Sequence, residues 1–466
     1  MKTRWPKISR LQSRKPLLLL LFLFCTTLSG QAEELIILSP HWEGIRYEFQ
    51  WAFQEVYKKE TGKDLSFKWL DAGGTSEILR FVRSEYDKNP KGINIDLFFG
   101  GGVEPYEELK RQKLLETIAI SDAVSTQLVK EIAGVPLIDP EFKWYAPVIG
   151  SFGILCNAEV LRLLKLPVPQ TWEDLNNPKF HSWLASSDPR KSGSSHIIYE
   201  IILQAYGWER GWRVIFGLGQ NIRAFSAQSN QPAKDVESGE VACAFAYDTQ
   251  AWWAQQKYGK DKMPYVLPKK LTALTPDAVG ILKGAPNREI ALRFIDFLMS
   301  KEGQRLWIRP KGSAGGPKQY DLARMPVLPF AYSESGPKLI SFNPFEWKES
   351  FFLDSDKASK RWNILNDLLG VFILEPHSFL RTRKANISKL DLPSETEILD
   401  DAESWNNFLF KDLKLREWKS KSKSIYLNQG DKDLLLLALP VLILFLFVAI
   451  NLGKRRRLFT IKRELP

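Results

Sequence analysis

Three short apolar runs near the start of the chain each end in a polar or glycine-rich turn that opens a helix, and that repeat leaves few folds open. Glu34–Ser39 runs into Pro40-His41-Trp42-Glu43 and helical spacing through Tyr57. Leu65–Leu70 is followed by Asp71-Ala-Gly-Gly-Thr-Ser76 and a second helical stretch, and Ile93–Phe99 ends in Gly100-Gly101-Gly102. Strand, turn, helix, repeated, predicts an α/β fold with a largely parallel sheet, whose ligands sit at the carboxyl ends of the strands.

A second unit of the same kind follows. Trp144–Ile154 and Val241–Tyr247 read as strands, with a proline turn into Trp172-Glu-Asp-Leu175 between them. Asp188-Pro-Arg-Lys-Ser-Gly-Ser-Ser-His196 is a polar loop leading into a helix, with Ile197, Ile198, Ile201, Ile202 and Ala205 on one face and Gly207 as the stop. A Ser/Gly loop at a helix start offers free amides, hydroxyls and the positive end of the helix dipole, the parts of an anion site. Simple N-capping by serine accounts for the same residues. Leu271–Ile281, Arg288–Phe297 and Lys301–Trp307 return to strand and helix, and Trp362, Leu365, Leu369 and Phe372 mark a late helix.

The glycine turns match no nucleotide fingerprint. There is no GxxxxGK[ST], and three consecutive glycines are not GxGxxG, so the chain is not expected to hydrolyse ATP. The four histidines (His41, His181, His196, His377) form no HExxH, and no GxSxG elbow occurs, so nothing points to an enzyme.

The formal net charge of +11 comes from the two ends. Lys2, Arg4, Lys7, Arg10, Arg14 and Lys15 precede the apolar run Leu17–Leu28 and the small residues around Gln31, which reads as a signal peptide over 1–32. Phe24 before Cys25 argues against lipidation. Leu434–Leu452 carries no charge and is followed by Lys454-Arg-Arg-Arg457, which reads as a membrane span with the basic tail 453–466 in the cytoplasm. Residues 17–453 are then neutral, and no nucleic-acid footprint is needed. Of the exported cysteines, Cys156 and Cys243 lie in apolar strand-like runs and are expected to be buried free thiols. Residues 386–433 are lysine-rich without sustained periodicity and read as a linker.

The Trp172–Leu175 turn, the Asp188–His196 loop, Ala291–Leu298 with Glu302-Gly-Gln304, and Lys360–Leu368 resemble, in that order, periplasmic solute-binding proteins of ABC importers. The similar subgroup contains ferric-binding proteins and proteins for phosphorylated sugars and phosphoglycerate. The resemblance implies two α/β lobes hinged about a cleft, here 33–140 with 272–325, and 141–271, with 326–385 as terminal helices packed on them. It implies ABC permease and ATPase subunits as partners, and a body in the periplasm tethered to the inner membrane. For a small anionic, phosphorylated solute, Gly74, Thr75, Ser76 and Ser192, Ser194, Ser195 supply helix starts from the two lobes. His41, Trp42, Gly101, Ser151, Tyr247, Asp248 and Asp277 lie at other strand ends or turns. The family's iron binders use adjacent tyrosines, whereas here Tyr247 is followed by Asp248. A ferric site with Fe3+ as transported ligand would fall to His41, Tyr247 and Asp248. A membrane-tethered ligand sensor is the remaining alternative, and no cofactor or resident metal is expected.

Overall fold

The computed structural model describes residues 33–382 and 391–426. The expected signal peptide, membrane span and basic tail lie outside the described residues. The strands are β1 (Glu33–Leu38), β2 (Leu65–Leu70), β3 (Leu97–Phe99), β4 (Glu131–Ile132), β5 (Val135–Pro136), β6 (Tyr145–Cys156), β7 (Leu184–Ser187), β8 (Ile222–Ser226), β9 (Cys243–Tyr247), β10 (Tyr265–Val266), β11 (Leu274–Ile281) and β12 (Met325–Pro326). Ten of them share one sheet, in the order β2-β1-β3-β11-β6-β9-β7-β8, with β10 and β12 also paired to β6.

The sheet contains two parallel groups. β1 runs parallel to β2 and β3, and β7 runs parallel to β8 and β9. Between them β6 and β11 run antiparallel to one another, with Leu274 opposite Ser151. Both are buried along their whole length, which their unbroken apolar and small residues permit.

Each group carries its own core. Ile37, Phe49, Phe98, Phe294 and Trp307 belong to the first; Ile154, Trp172, Ile201, Trp212 and Phe245 belong to the second. The chain passes from the first core to the second inside β6, between Ile149 and Phe152, and returns between Ala273 and Leu274. The two crossings lie side by side, because Ser151 and Leu274 are register partners. Paired crossing strands leave each lobe's packing intact while the lobes rotate about them. A third crossing falls between Ile340, in the first core, and Leu353, in the second. Of the stretch expected to be terminal helices, 326–340 therefore completes the first lobe, whereas the helices Ser355–Leu369 and His377–Thr382 lie with the second.

Two expectations are corrected. The segment expected to be a linker contains the helices Glu395–Ala402 and Phe408–Tyr426, and Ile398, Trp405 and Trp418 are buried in the second core. Trp405 and Trp418 stack with ring centroids 5.0 Å apart, and Lys414 pairs with Asp401 at 2.8 Å. A few large aromatics and ion pairs hold this region, so the apolar period that would have announced it is weak. The second correction concerns the cysteines: Cys156 and Cys243 form a disulfide. They are direct register partners on β6 and β9, with Cα atoms 4.1 Å apart, a relationship fixed by strand pairing across 87 residues of sequence.

Candidate functional site

A cleft of about 850 Å³ opens where the carboxyl ends of both parallel groups face each other. From the first lobe, the turn after β1 contributes His41 and Trp42, the turn after β2 contributes Gly74 and Thr75, and the turn after β3 contributes Gly101, Gly102 and Glu104. From the second, the loop after β7 brings Lys191, Ser192, Gly193 and Ser194. The segment after β8 brings Gln228, Ser229 and Asn230, and the end of β9 brings Tyr247, Thr249 and Gln250. Asp277 of β11 and Arg324 close the floor.

The two glycine-rich helix starts meet across the cleft. A Cβ on Gly193 would lie 2.7 Å from Thr75 Oγ1, and one on Gly74 would lie 2.7 Å from the Lys191 carbonyl oxygen, so only glycine allows this approach. The helices Thr75–Lys88 and Gly193–Tyr206 thus direct their N-termini into the same space. The backbone N–H groups of Thr75, Ser76, Gly193 and Ser194 find no acceptor among the described residues. Each is a first-turn amide, which a helix cannot satisfy internally.

The triple glycine has a related cause. All three residues have positive φ, and a Cβ at Gly100 would stand 2.6 Å from the His41 ring. The loop packs flat on that imidazole, which also meets the Phe99 ring edge-on at 4.5 Å between centroids.

The floor is a buried ionic network. Asp277 Oδ2 accepts from Arg324 Nη1 at 2.9 Å and lies 3.1 Å from His41 Nε2, while Asp277 Oδ1 accepts from the Gly102 amide at 3.1 Å. Burial alone would raise the carboxyl's pKa, but Arg324 and His41 outweigh it and hold Asp277 well below the usual carboxylate range. Burial lowers the His41 pKa against the pull of Asp277, so the ring is neutral at neutral pH, Nε2 carries the proton and Nδ1 has no partner among the described residues. The Arg324 guanidinium also lies over the Tyr247 ring, 5.0 Å from its centroid.

A cleft between two such lobes, with donors converging from both, fits a protein that closes on a small ligand. The model of the family described as bacterial extracellular solute-binding protein matches residues 94–323. Over those residues, just under half of its length, the chain is similar to that family. Its members bind solutes and are not enzymes. The chain is 26% identical over 215 residues to the phosphoglycerate transport regulatory protein PgtC of Salmonella typhimurium, over 46% of this chain and 51% of that one. The chain thus spans about half the length of that relative. Two solved structures are similar: AfuA from Actinobacillus pleuropneumoniae with exogenous fructose-6-phosphate bound, and iron-bound HitA from Pseudomonas aeruginosa. Their TM-scores are 0.59 and 0.56, at 21% and 15% identity, covering 72% of this chain in each case and 98% and 99% of theirs. Likeness at those identities shows the fold.

Nine of the expected site residues line the cleft: His41, Trp42, Gly74, Thr75, Gly101, Ser192, Ser194, Tyr247 and Asp277. Ser76, Ser151, Ser195 and Asp248 stand behind the wall. Ser76 Oγ accepts from Trp362 Nε1, and Ser195 Oγ donates to the Ser187 carbonyl at 2.6 Å. Asp248 Oδ2 accepts from the Ser151 amide and hydroxyl, and Oδ1 accepts from the Thr249 amide. Burial pushes the Asp248 pKa up to about 6, against these bonds and Arg324. Of the iron set His41, Tyr247 and Asp248, the first two line the cleft and Asp248 makes these internal bonds behind it. Among the described residues no cluster of His, Cys, Asp and Glu could hold a metal ion. Ser192 also serves as a cap, its Oγ accepting from the Ser195 amide at 3.1 Å.

Sequence reasoning missed Arg324 and Glu104. Arg324 is the one charge in the apolar run Leu322–Leu328, the pattern of a cation that is buried and paired. Glu104 follows the glycine turn at the start of the helix Glu104–Arg111 and gives no comparable signal.

Proposed function

We propose that this chain is the extracytoplasmic solute-binding subunit of an ABC importer, and that its cleft takes a small phosphorylated organic anion. The supporting observation is the meeting of two helix N-termini from opposite lobes, with four first-turn amides unspent. Lys191 adds an exposed cation at the rim, and Arg324 is neutralised by Asp277, so the site favours an anion without a large field. His41, Tyr247, Gln228 and Gln250 are placed for the polar remainder of the solute, and Trp42, edge-on to Trp253 and Tyr320, forms an apolar wall. The uncharged run 434–452 would tether the body to the inner membrane and keep it beside its permease, raising its effective concentration there.

The test is a thermal-shift and titration series with 3-phosphoglycerate, fructose 6-phosphate, ferric citrate and unphosphorylated sugars. A ligand present at a hundredfold excess over its Kd adds about 2.7 kcal/mol of stability. Stabilisation by a phosphorylated compound, weakened by Ser194→Ala and Thr75→Ala, supports the reading. Stabilisation by ferric iron alone, lost with Tyr247→Phe, replaces the solute and keeps the transport role. A sensing role is supported if the protein copurifies with a signalling partner and no permease.

A further inference from the structure

Glu104 is a wall residue whose chemistry the site just described does not use. Its side chain is buried and lines the cleft between the glycine turn and the helix Ser355–Leu369. Oε2 accepts from the Val103 amide at 3.2 Å and would meet a Cβ on Gly102 at 2.8 Å, so this oxygen is folded back on the turn. Oε1 is buried and bonded to nothing among the described residues.

The surrounding charges do not neutralise it. On its own helix Glu107 is paired with Lys110; from the facing lobe Glu200 is paired with Arg361; and on the floor Asp277 is paired with Arg324 and His41. From the helix Ser355–Leu369, Ser359 Oγ donates to the Glu104 backbone carbonyl, not to its carboxyl, and accepts from Arg111. Among the described residues no ion pair includes Glu104. A buried carboxylate without a counter-ion costs several kcal/mol, so burial favours the acid form. Burial pushes its pKa up to about 7, and the nearby carboxylates add to the effect. As the acid, Glu104 is a donor. Thr75, Gly193 and Ser194 line the same cleft, and their unspent amides are donors too. Only an acceptor-rich group can satisfy all of them.

We propose that Glu104 in its protonated form donates from Oε1 to the phosphoryl oxygens of the bound solute, so that solute capture takes up one proton. This rests on the phosphorylated-anion reading of the cleft. The carboxyl makes the site proton-dependent: ionised, it would repel the dianion that the helix starts attract. The alternative use of a free carboxylate, pairing with an ammonium group on the solute, has the opposite sign, since binding would then strengthen as pH rises.

The experiment is isothermal titration of the full-length protein in detergent with 3-phosphoglycerate and fructose 6-phosphate between pH 7.5 and 8.5, in buffers of different ionisation enthalpy. Both phosphoryl groups are essentially dianionic there and His41 is neutral, so neither supplies the linked proton. With a Glu104 pKa near 7 in the empty cleft, affinity should fall about eightfold over that unit of pH, with proton uptake approaching one. Glu104→Gln keeps a neutral donor, and its affinity should be flat across the window with no uptake. If Glu104→Gln fails to fold, uptake by the wild-type protein still decides. Binding with no proton uptake, uptake that persists in folded Glu104→Gln, or affinity that rises with pH overturns the proposal while leaving the phosphorylated-anion reading in place. If neither phosphate binds at any pH, that reading falls and the proposal falls with it.

Discussion

The indole Nε1 of Trp362 donates to Ser76 Oγ at 2.8 Å, joining a helix of the second core to the first turn of a helix of the first. The Trp362 ring lies on His196, 3.7 Å between centroids, and His196 Nδ1 bonds Asn366 Oδ1. Nearby, Arg111 reaches Ser359 at 2.8 Å and Asp356 at 3.0 Å. The helix Ser355–Leu369 is thus a strut between the lobes, bonded to Ser76, whose own amide is one of the four unspent first-turn amides.

Trp362→Phe removes the bond to Ser76 and keeps the stacking surface. A net hydrogen bond contributes about 1 kcal/mol. Because this one exists only when the lobes meet, its loss should appear as roughly fivefold weaker solute binding with little change in melting temperature. Titration paired with thermal denaturation checks this, and a fall in stability with unchanged affinity would show that the bond holds the fold and not the closure.

Gly193→Ala tests the contact between the helix starts. Alanine is a better helix residue than glycine, so the second lobe should lose no stability. The new methyl would sit 2.7 Å from Thr75 Oγ1 across the cleft, too close for both to stay in place. Solute affinity should drop at least tenfold, and small-angle scattering should show the variant failing to contract when solute is added.

Asp277→Asn would leave Arg324 buried without its counter-charge. Breaking one side of a buried pair costs about 3–5 kcal/mol, so the denaturation midpoint should fall sharply at pH 7. The pH dependence has a defined sign. The folded pKa of Asp277 lies below its unfolded value, so its stabilisation is complete above the unfolded range near pH 4 and is lost as pH falls through the folded value. Wild-type stability should therefore decline below about pH 4, and the variant's profile should be flatter there.

Local pattern made much of this legible in the sequence. Ile197, Ile198, Ile201 and Ile202 recur at helical spacing and are buried on the second core, and Gly207, with φ of 78°, ends that helix where its residue type suggests. β2 has the limits its apolar run implies. β3 is shorter than the run Ile93–Phe99, because Asn94 takes φ of 56° and the Asp96 carboxylate bonds the Ile36 and Asn287 amides. Those partners lie far off in sequence. The same limit hid Arg324, whose meaning depends on Asp277 and Tyr247, and the Trp405–Trp418 stack, which carries two helices with few apolar residues. Separating wall from backing at Ser76, Ser151 and Ser195 depended on which acceptor or donor each hydroxyl found.

The disulfide provides a last test, because it sits at one end of the β6–β9 pair whose other end is the cleft. Cys156 pairs with Cys243, and four residues along the same ladder Phe152 pairs with Tyr247, which lines the site. Closing a loop of 87 residues stabilises the folded state by about 4.6 kcal/mol in the chain-entropy model. Reduction, or the paired change Cys156→Ala with Cys243→Ala, should lower the melting temperature of the second lobe by several degrees. Affinity measured well below that transition should change less than twofold, since the ladder's backbone bonds persist and neither cysteine lines the cleft. A large loss of affinity at a temperature where the reduced protein is still folded would mean that the cross-link sets the position of Tyr247.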